Sequence, residues 1–337
     1  MHSRIVVLLL ALVGVSGAAY ARPNIVTILL DDVRADNISM LLNAGALPNL
    51  KRYVVDAGVT FDNSFVTTSL CGPSRATFLT GQYSHNHGVV CNDDPLLGNA
   101  VELLRHDSTL PVWLKAAGYR TAHIGKYLNG YGSGSRNDTG PRNPTWIPPG
   151  WDEWFGLVDP STYLMYGYTI NQNGALVAYS PTPFPDETRL RSNYQTDVLA
   201  RLAVGVVDRA ANQPTPQPLF MVITPLAAHF EHGADAPGFR GCSHPMWSYA
   251  VRPAQRHIDS LTGAPFPADP SFDETDLSDK PPHLQSLPGV DVSCVQKQHQ
   301  VRLESLRAMD DLIGTLVAAL KLRGQWDNTV LILTSDN

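Results

Sequence analysis

The chain has 337 residues, of which 43% are hydrophobic and 17% charged, and its formal net charge is -6. This composition excludes a disordered protein, and the acidic balance argues against a nucleic-acid-binding protein, because such proteins usually carry a basic excess. Four cysteines are too few for a small scaffold built on disulfides.

The first 21 residues are predicted to be an export signal. Arg4 precedes an apolar run over residues 5–13, and Ala19-Tyr20-Ala21 fits the small-residue pattern of a cleavage site. The run is too short to cross a bilayer, so we expect no membrane span once residues 1–21 are removed; an uncleaved anchor is the alternative. The expected location is an exported compartment, either secreted, periplasmic or lysosomal in type.

Strands and helices alternate along the rest of the chain. Apolar runs rich in β-branched residues predict buried strands at 25–30, 119–124, 219–224 and 329–333. Residues 59–66 are also β-branched and aromatic, which is typical of a strand. Helices are predicted at 48–57, 73–80, 197–211 and 299–323, together with one that Ser108 caps and Gly118 ends. This alternation predicts an α/β fold with a mostly parallel central sheet and helices on both faces.

Two long segments, 130–192 and 232–298, are predicted to be loops carried on this scaffold. They are rich in Gly, Pro, Asn, Ser and Asp and contain scattered aromatic residues. These aromatic side chains need burial or a ligand, and we expect those of 130–192 to pack the loop rather than to stack on sugar rings, because large aromatic residues mostly serve burial. They include Trp146, Trp151, Trp154, Phe155 and Trp247.

Polar residues follow the predicted strands at the points where the strands end. The pairs are Asp31-Asp32, Gly125-Lys126 and Asp336-Asn337, and His229 follows the strand at 219–224. Ligands of α/β folds bind outside the carboxyl ends of the strands, so these side chains are expected on one rim. Carboxylates and an amide carbonyl suit Ca2+ or Mg2+ better than zinc. An ordinary turn at Asp31-Asp32 is the alternative.

The segment Cys71-Gly-Pro-Ser-Arg75 places a cysteine at a predicted helix start and an arginine one turn into the helix. A helix N-terminus favours anions, and an arginine adds a bidentate donor for a tetrahedral oxyanion. A buried cysteine beside an ordinary helix start is the alternative reading of the same residues.

With Ala76-Thr-Phe-Leu-Thr-Gly81 after it, this segment resembles the signature of the sulfatases, in the alkaline-phosphatase-like superfamily. The order of Asp31-Asp32, Cys71 to Arg75, Gly125-Lys126, His229 and Asp336-Asn337 matches that family along the chain. The segments Gly125-Lys-Tyr-Leu-Asn-Gly130 and Asp276-Leu-Ser-Asp-Lys-Pro-Pro282 further resemble the N-acetylglucosamine-6-sulfatase-like and extracellular heparan-type sulfatases.

The resemblance implies hydrolysis of sulfate esters, including those of sulfated sugars or glycosaminoglycans. It implies that a separate formylglycine-generating enzyme converts Cys71 to Cα-formylglycine, whose hydrate is the nucleophile. Arg75 would hold this group, and Lys126 and His229 would bind the sulfate, with one of them protonating the leaving alcohol. The resemblance also implies a divalent cation, with Ca2+ favoured and Mg2+ possible. Its ligands would be Asp31, Asp32, Cys71, Asp336 and Asn337.

The sequence departs from the family pattern in two places. Many members carry a histidine two residues after the motif lysine, where this chain has Leu128; we interpret the change as lineage. The family also has a further lysine after the Asp-Asn pair, more strands and a small C-terminal subdomain. We therefore expect 22–337 to be a catalytic domain that is incomplete at its C-terminus and poorly active alone. The alternatives are a phosphonate monoester or phosphodiester hydrolase of the same superfamily, and an inactive remnant or carbohydrate-binding protein.

The remaining histidines and cysteines give weaker indications. His85 and His87 have a metal-like spacing, but a turn is favoured because no partner completes a zinc site. His123 ends a predicted strand and faces either the rim or the core. Cys91, Cys242 and Cys294 allow at most one disulfide, for which Cys242 with Cys294 is our guess.

Overall fold

The computed structural model describes residues 22–185, 187–231, 251–287 and 289–337. The predicted export signal, residues 1–21, lies outside the described residues, as do Cys242 and Trp247.

A seven-stranded sheet joins strands from the beginning and the end of the described chain. The strands are β1 (Asn24–Leu30), β2 (Asp93–Asp94), β3 (Gly98–Asn99), β4 (Arg120–Gly125), β5 (Glu153–Leu157), β6 (Thr169–Gln172), β7 (Ala175–Ala178), β8 (Leu219–Thr224) and β9 (Thr329–Ser335). The large sheet has the order β7-β6-β5-β4-β8-β1-β9, and β2 and β3 form a separate hairpin. Pairing is parallel from β5 to β9 and antiparallel from β5 through β6 to β7.

The described helices vary from single turns to one of 31 residues. They are α1 (Ala35–Asn43), α2 (Pro48–Leu50), α3 (Cys71–Thr80), α4 (Ser84–His87), α5 (Ala100–Leu103), α6 (Leu110–Ala116), α7 (Gln195–Ala211), α8 (Pro282–Gln285) and α9 (Val292–Leu322). Helix α2 continues into a π turn over Lys51–Val55. No helix of the described part of the chain has the length and apolar content needed to cross a membrane.

Helices cover both faces of the sheet, as predicted. Val26 and Ile28 of β1 pack in the cluster that contains the buried faces of α7 and α9. Their neighbour Ile25 and Phe220 of β8 pack in a second cluster with residues of α3, α5 and α6. Because successive side chains of a strand point to opposite faces, a strand covered on both sides must be apolar throughout. This requirement explains the uninterrupted apolar runs at 25–30 and 219–224.

The long helix α9 begins seven residues earlier than the predicted 299. The carboxylate of Asp291 accepts the backbone N–H of Cys294 at 3.1 Å and so caps the helix. Along α9, Leu303, Leu306 and Ile313 recur on its buried face, as the periodicity predicted. The expected cap at Ser108 is wrong, because Thr109 occupies the N-cap of α6 and makes no side-chain capping bond.

Three expectations about strands are corrected by the structure. Residues 59–66 form no strand, and Val59, Phe61 and Phe65 are 78, 78 and 86% exposed. The strand β9, predicted to be buried, lies at the sheet edge, so its alternate residues Val330 and Ile332 are exposed. Conversely, the predicted loop 130–192 contains β5, β6 and β7, which are short and lack a long apolar run.

Candidate functional site

The carboxyl ends of four parallel strands bring the predicted site residues together. In the register of β1 and β9, Leu30 lies beside Ser335, so Asp31 and Asp336 follow from neighbouring strand ends. In the register of β4 and β8, Gly125 lies beside Thr224, and Lys126 and His229 follow these strands. The parallel order thus places residues that are about 300 positions apart in the sequence on one rim.

Asp31 is the centre of a buried charge network. Its Oδ2 lies 2.6 Å from Lys126 Nζ and 3.5 Å from Arg75 Nη2. The side chains of Asp31, Lys126 and Arg75 are 0, 2 and 3% exposed. Arg75 Nε donates to Asp336 Oδ2 at 2.7 Å, so the guanidinium bridges both carboxylates. Two buried carboxylates therefore face two buried cations, and such pairing is what makes buried charge tolerable.

Helix α3 places Cys71 and Arg75 against these strand ends. Cys71 is the first residue of α3, and its Sγ lies 3.7 Å from Asp31 Oδ1. Arg75 Nη1 donates to the carbonyl of Lys126 at 2.8 Å. Between them, Gly72 has no room for a side chain, because an added Cβ would lie 2.6 Å from the Cβ of Ala100. The glycine of the motif therefore permits the close approach of α3 and α5.

Asp32 completes the rim in a left-handed backbone conformation, with φ of 55°. This conformation is unfavourable for a non-glycine residue, and three contacts hold it. The N–H of Asp32 donates to Asp336 Oδ1 at 3.3 Å, the N–H of Val33 donates to Ser335 Oγ at 3.1 Å, and Arg302 Nη2 donates to the carbonyl of Asp32 at 2.8 Å. The local turn is thus set by β9 and α9, not by residues 31–33 alone.

Asn337 and His229 approach Asp32 from two sides. Asn337 Nδ2 donates to Asp32 Oδ1 and, at 3.0 Å, to Asp336 Oδ1. His229 Nε2 lies 3.4 Å from Asp32 Oδ2. One ligand atom from each of Asp31, Asp32, Cys71 and His229 lies within 4.8 Å of all the others. The structure therefore brings the residues predicted as catalytic groups and metal ligands into one cluster.

The charges of the cluster shift the pKa of Asp31 and Lys126 toward the ionised forms. Burial alone would raise the pKa of Asp31, but Lys126, His229 and Arg75 together lower it to about 2. Burial would likewise lower the pKa of Lys126, but Asp31, Tyr163 and Cys71 together outweigh burial and raise it. Both groups are charged at neutral pH as a result.

Cys71 and Asp336 shift the other way. Burial raises the pKa of the Cys71 thiol, and the nearby charges of Asp31 and Asp336 add to this effect. Burial also raises the pKa of Asp336, although Arg75 opposes the change. A thiol with a raised pKa is protonated at neutral pH, so unmodified Cys71 is a poor nucleophile.

The donor set fits a hard divalent cation. Asp31, Asp32 and Asp336 supply carboxylate oxygens, and the buried Oδ1 of Asn337 has no hydrogen-bond partner among the residues that the structure describes. Side-chain amides expose an oxygen or an NH2 group to a partner depending on their rotation. An oxygen-rich cluster of this kind is typical of calcium and magnesium sites rather than of zinc sites.

The other predicted residues lie outside this cluster. His123 is buried, and its ring stacks on Trp154 at 4.5 Å between centroids, so it is a core histidine. His87 shares a hydrogen bond of 3.2 Å with Thr77 on α3. Trp151 and Trp154 are buried, which confirms the packing role expected for them.

Three of the four cysteines lie in the part of the chain that the structure describes. Cys71 and Cys91 are free, and Cys294 is disulfide-bonded. Its guessed partner, Cys242, lies outside the described residues.

Two residues at the site were not predicted. Tyr163 lies between Lys126 and His229, with Lys126 Nζ 4.8 Å from its ring centroid and the His229 ring at 5.2 Å. Arg302 holds the carbonyl of Asp32 from α9. Tyr163 sits in an aromatic-rich loop and Arg302 in a regular helix, so no local pattern distinguishes them from packing and surface residues.

Comparisons with known proteins agree with this geometry. The sulfatase family model matches residues 23–337. The arylsulfatase of Volvox carteri is 32% identical over 336 residues, covering 96% of this chain and 47% of that protein. The N-acetylglucosamine-6-sulfatase of Capra hircus is 31% identical, covering 96% of this chain and 52% of that protein. The chain thus spans about half the length of these curated relatives.

Solved structures share the fold. One, determined in complex with its substrate D-glucosamine-2-N,6-O-disulfate, has a TM-score of 0.63 at 23% identity and covers 94% of this chain and 65% of its own. Sulfatases in general use a divalent cation and a formylglycine made from the motif cysteine, and the cluster around Asp31 and Cys71 offers a metal-binding group of that kind. With the family model matching nearly the whole described sequence, the chain belongs to the sulfatase family and has its alkaline-phosphatase-like fold.

Proposed function

We propose that this chain hydrolyses sulfate esters of sugars, with water and the ester giving the alcohol and inorganic sulfate. The observation that carries the proposal is the meeting of Cys71, Asp31, Asp32 and His229 within 4.8 Å, beside the buried cations Arg75 and Lys126. Support for a sugar substrate comes from relatives named N-acetylglucosamine-6-sulfatase and from the glucosamine disulfate bound in a protein of the same fold.

The nucleophile is assigned to position 71 after conversion of the cysteine to formylglycine by a separate formylglycine-generating enzyme. Two features support this assignment. Cys71 begins α3, where free N–H groups favour anionic oxygen. Its thiol has a raised pKa, so the unmodified side chain is unsuited to direct attack. Arg75, one turn further along α3, holds the group and balances its charge.

Asp31, Asp32, Asp336 and Asn337 are assigned as ligands of a divalent cation, with calcium favoured by the oxygen donors; position 71 is a further ligand. When bound, the cation polarises the sulfate and lowers the pKa of the attacking oxygen. We expect a chelator to abolish turnover and added Ca2+ to restore it more fully than Mg2+.

Lys126 and His229 are assigned to the sulfate oxygens and to the leaving alcohol. Lys126 is held by Asp31 and its pKa is raised, so it stabilises negative charge but is a weak acid. His229 Nδ1 faces the carbonyl oxygen of Phe230 at 2.6 Å, which directs Nε2 toward the cluster. We therefore assign protonation of the leaving alcohol to His229 Nε2.

Export is part of the same proposal. The predicted signal at 1–21 would deliver the chain to a secreted, periplasmic or lysosomal-type compartment, where the enzyme would encounter sulfated carbohydrates. Relatives that are named extracellular sulfatases support this location. Mass measurement of the mature N-terminus tests it, and a protein that still begins at Met1 after export contradicts cleavage.

The decisive experiment is mass spectrometry of the peptide that contains Cys71. In a host with the converting enzyme, we expect this peptide to be lighter than the cysteine form by about 18 Da, the change from a thiol to an aldehyde rather than a step of ordinary thiol oxidation. Cys91, which is also free, is the matched control and should be unmodified. An unmodified Cys71 from such a host contradicts the proposed nucleophile.

Activity assays separate the two hydrolase classes. The full chain is assayed on an aryl sulfate and on the matching aryl phosphonate, with Cys71→Ser and Cys91→Ser as variants. We expect faster cleavage of the sulfate, loss of activity in Cys71→Ser and retention in Cys91→Ser. Faster phosphonate cleavage would instead assign the chain to the phosphonate monoester hydrolases. A wild-type chain that carries formylglycine and calcium but cleaves neither substrate contradicts the hydrolase function.

A further inference from the structure

One aromatic ring contacts both groups that are assigned to the sulfate. Tyr163 is 6% exposed. Its ring centroid lies 4.8 Å from Lys126 Nζ and 5.2 Å from the centroid of the His229 ring, with the two rings tilted by 49°. Lys126 follows β4 and His229 follows β8, so the Tyr163 ring contacts side chains that follow two different strands.

The backbone around Tyr163 is fastened to the loop that carries Lys126. Asn129 Nδ2 donates to the Tyr163 hydroxyl at 2.7 Å. The carboxylate of Asp159 accepts the N–H of Gly130 at 2.6 Å, and the N–H of Asp159 donates to the carbonyl of Tyr131 at 2.9 Å. These three bonds join the segment after β5 to the segment after β4. These bonds therefore hold the ring in a fixed position relative to Lys126.

The ring restricts each partner in a different way. A lysine ammonium on a flexible four-carbon stem has many rotamers, and an aromatic face favours those that place the charge over the ring. Asp31 also fixes this ammonium, with its Oδ2 2.6 Å from Lys126 Nζ. His229 lies between two rings, with Phe230 stacked at 4.5 Å and Tyr163 at 5.2 Å. Both side chains are thus oriented before any sulfate arrives.

We propose that Tyr163 is a positioning residue, whose ring orients Lys126 and His229 toward the sulfate oxygens. The inference rests on the proposed function, since the roles of Lys126 and His229 come from it. The face of the ring orients these two side chains. The hydroxyl, which holds the loop through its bond with Asn129, contributes less to their orientation.

The test compares variants with and without a ring at position 163. Tyr163→Phe keeps the ring, whereas Tyr163→Met and Tyr163→Leu remove it; using two ringless variants guards against one that does not fold. Tyr179→Leu is the matched control, because Tyr179 is a half-buried ring stacked on Tyr168 outside the cluster. For each protein, kcat, KM and the affinity for inorganic sulfate are measured, with the melting temperature as a check on folding.

We expect the ringless variants to lose about tenfold in kcat/KM and a similar factor in sulfate affinity, a change between that of an exposed and that of a desolvated cation–π contact. For Tyr163→Phe and Tyr179→Leu, kcat/KM and the sulfate affinity should stay within about threefold of the wild-type values, a change well below the tenfold loss expected of the ringless variants. In a Lys126→Met background, removal of the ring should cost clearly less, because one of its two partners is gone.

Three results would overturn the inference. They are unchanged kcat/KM and sulfate affinity in folded ringless variants, a loss in Tyr163→Phe as large as in Tyr163→Met, and an undiminished cost in the Lys126→Met background. A wild type that binds inorganic sulfate but hydrolyses no sulfate ester contradicts the proposed function instead. In that case the sulfate affinities of the ringless variants still decide whether Tyr163 orients the site.

Discussion

Burial of the histidine on β4 leads us to predict that the free energy of unfolding falls as the pH is lowered. His123 is 2% exposed, stacks on Trp154, and its Nε2 lies 3.2 Å from the carbonyl oxygen of Gly125. Burial lowers the pKa of His123 from 6.5 to about 3; Arg75 also lowers it, and the contact with Gly125 opposes the change only in part. Between about pH 3 and 6.5, the folded protein therefore holds this imidazole neutral while the unfolded chain protonates it.

The sign follows from the two protonation states. Above pH 6.5 the histidine is neutral in both states and the free energy of unfolding is unaffected. Below pH 6.5 the unfolded chain binds a proton that the folded chain does not bind until about pH 3, so falling pH favours unfolding. Between pH 6.5 and 4.5, this one residue lowers the free energy of unfolding by about 2.3 kcal/mol, because each full unit is worth ~1.4 kcal/mol and the first unit below pH 6.5 counts only in part.

The assay is urea unfolding at several pH values between 7.5 and 4.5. His123→Gln removes the titration while retaining an amide that can donate to the carbonyl of Gly125, and His283→Gln is the control at an exposed position. We expect the wild type and the control to lose stability in parallel and the His123→Gln protein to lose about 2.7 kcal/mol less over this range. Other buried histidines are common to all three proteins and cancel. Equal losses in wild type and His123→Gln would refute the reasoning.

Three further substitutions test the geometry of the site. Gly125→Ala should lower the free energy of unfolding by more than ~3 kcal/mol, because Gly125 has φ of 117° and an added Cβ would lie 2.2 Å from the carbonyl oxygen of Thr224; a melting temperature equal to that of the wild type contradicts this. Arg302→Met should weaken Ca2+ binding about tenfold in calorimetry, because it releases the carbonyl of Asp32 and loss of a group that orients a ligand typically costs 10–100-fold; an unchanged Kd for Ca2+ counts against this role. Arg75→Met should destabilise the protein by about 3–5 kcal/mol in denaturant unfolding, because it leaves buried carboxylates without their partner. A loss below about 1 kcal/mol is the value of an exposed ion pair and would contradict a buried ion pair at Arg75.

Much of the fold was predictable because its signals are local. A strand covered on both faces must be apolar throughout, which marks 25–30 and 219–224. A helix buried on one side repeats its apolar residues every three to four positions, as α9 does at Leu303, Leu306 and Ile313. Gly81, with φ of 67°, ends α3 because glycine accepts the left-handed conformation there.

The failures occurred where the environment, and not the local composition, selects the structure. Residues 59–66 have the composition of a strand but find no partner in the described sheet. The short strands β5, β6 and β7 lack that composition and form because β5 pairs with β4, β6 with β5, and β7 with β6. The β-propensity of a residue mostly reflects how well its side chain fits a half-buried pleated surface. It therefore depends on neighbouring strands that cannot be identified from the local sequence.

The amino-acid sequence alone identifies which chemical groups this protein has and where each follows a strand or begins a helix. Asp31-Asp32, Cys71 to Arg75, Lys126, His229 and Asp336-Asn337 were all identifiable, because strand ends and helix starts leave local marks and parallel strands share one rim. Their neighbours, in contrast, depend on how the chain packs in three dimensions. The ring of Tyr163 beside Lys126 and His229, the hold of Arg302 on Asp32, and the burial of His123 all depend on the packing of distant segments, and side-chain contacts between such segments leave no periodic trace in the chain.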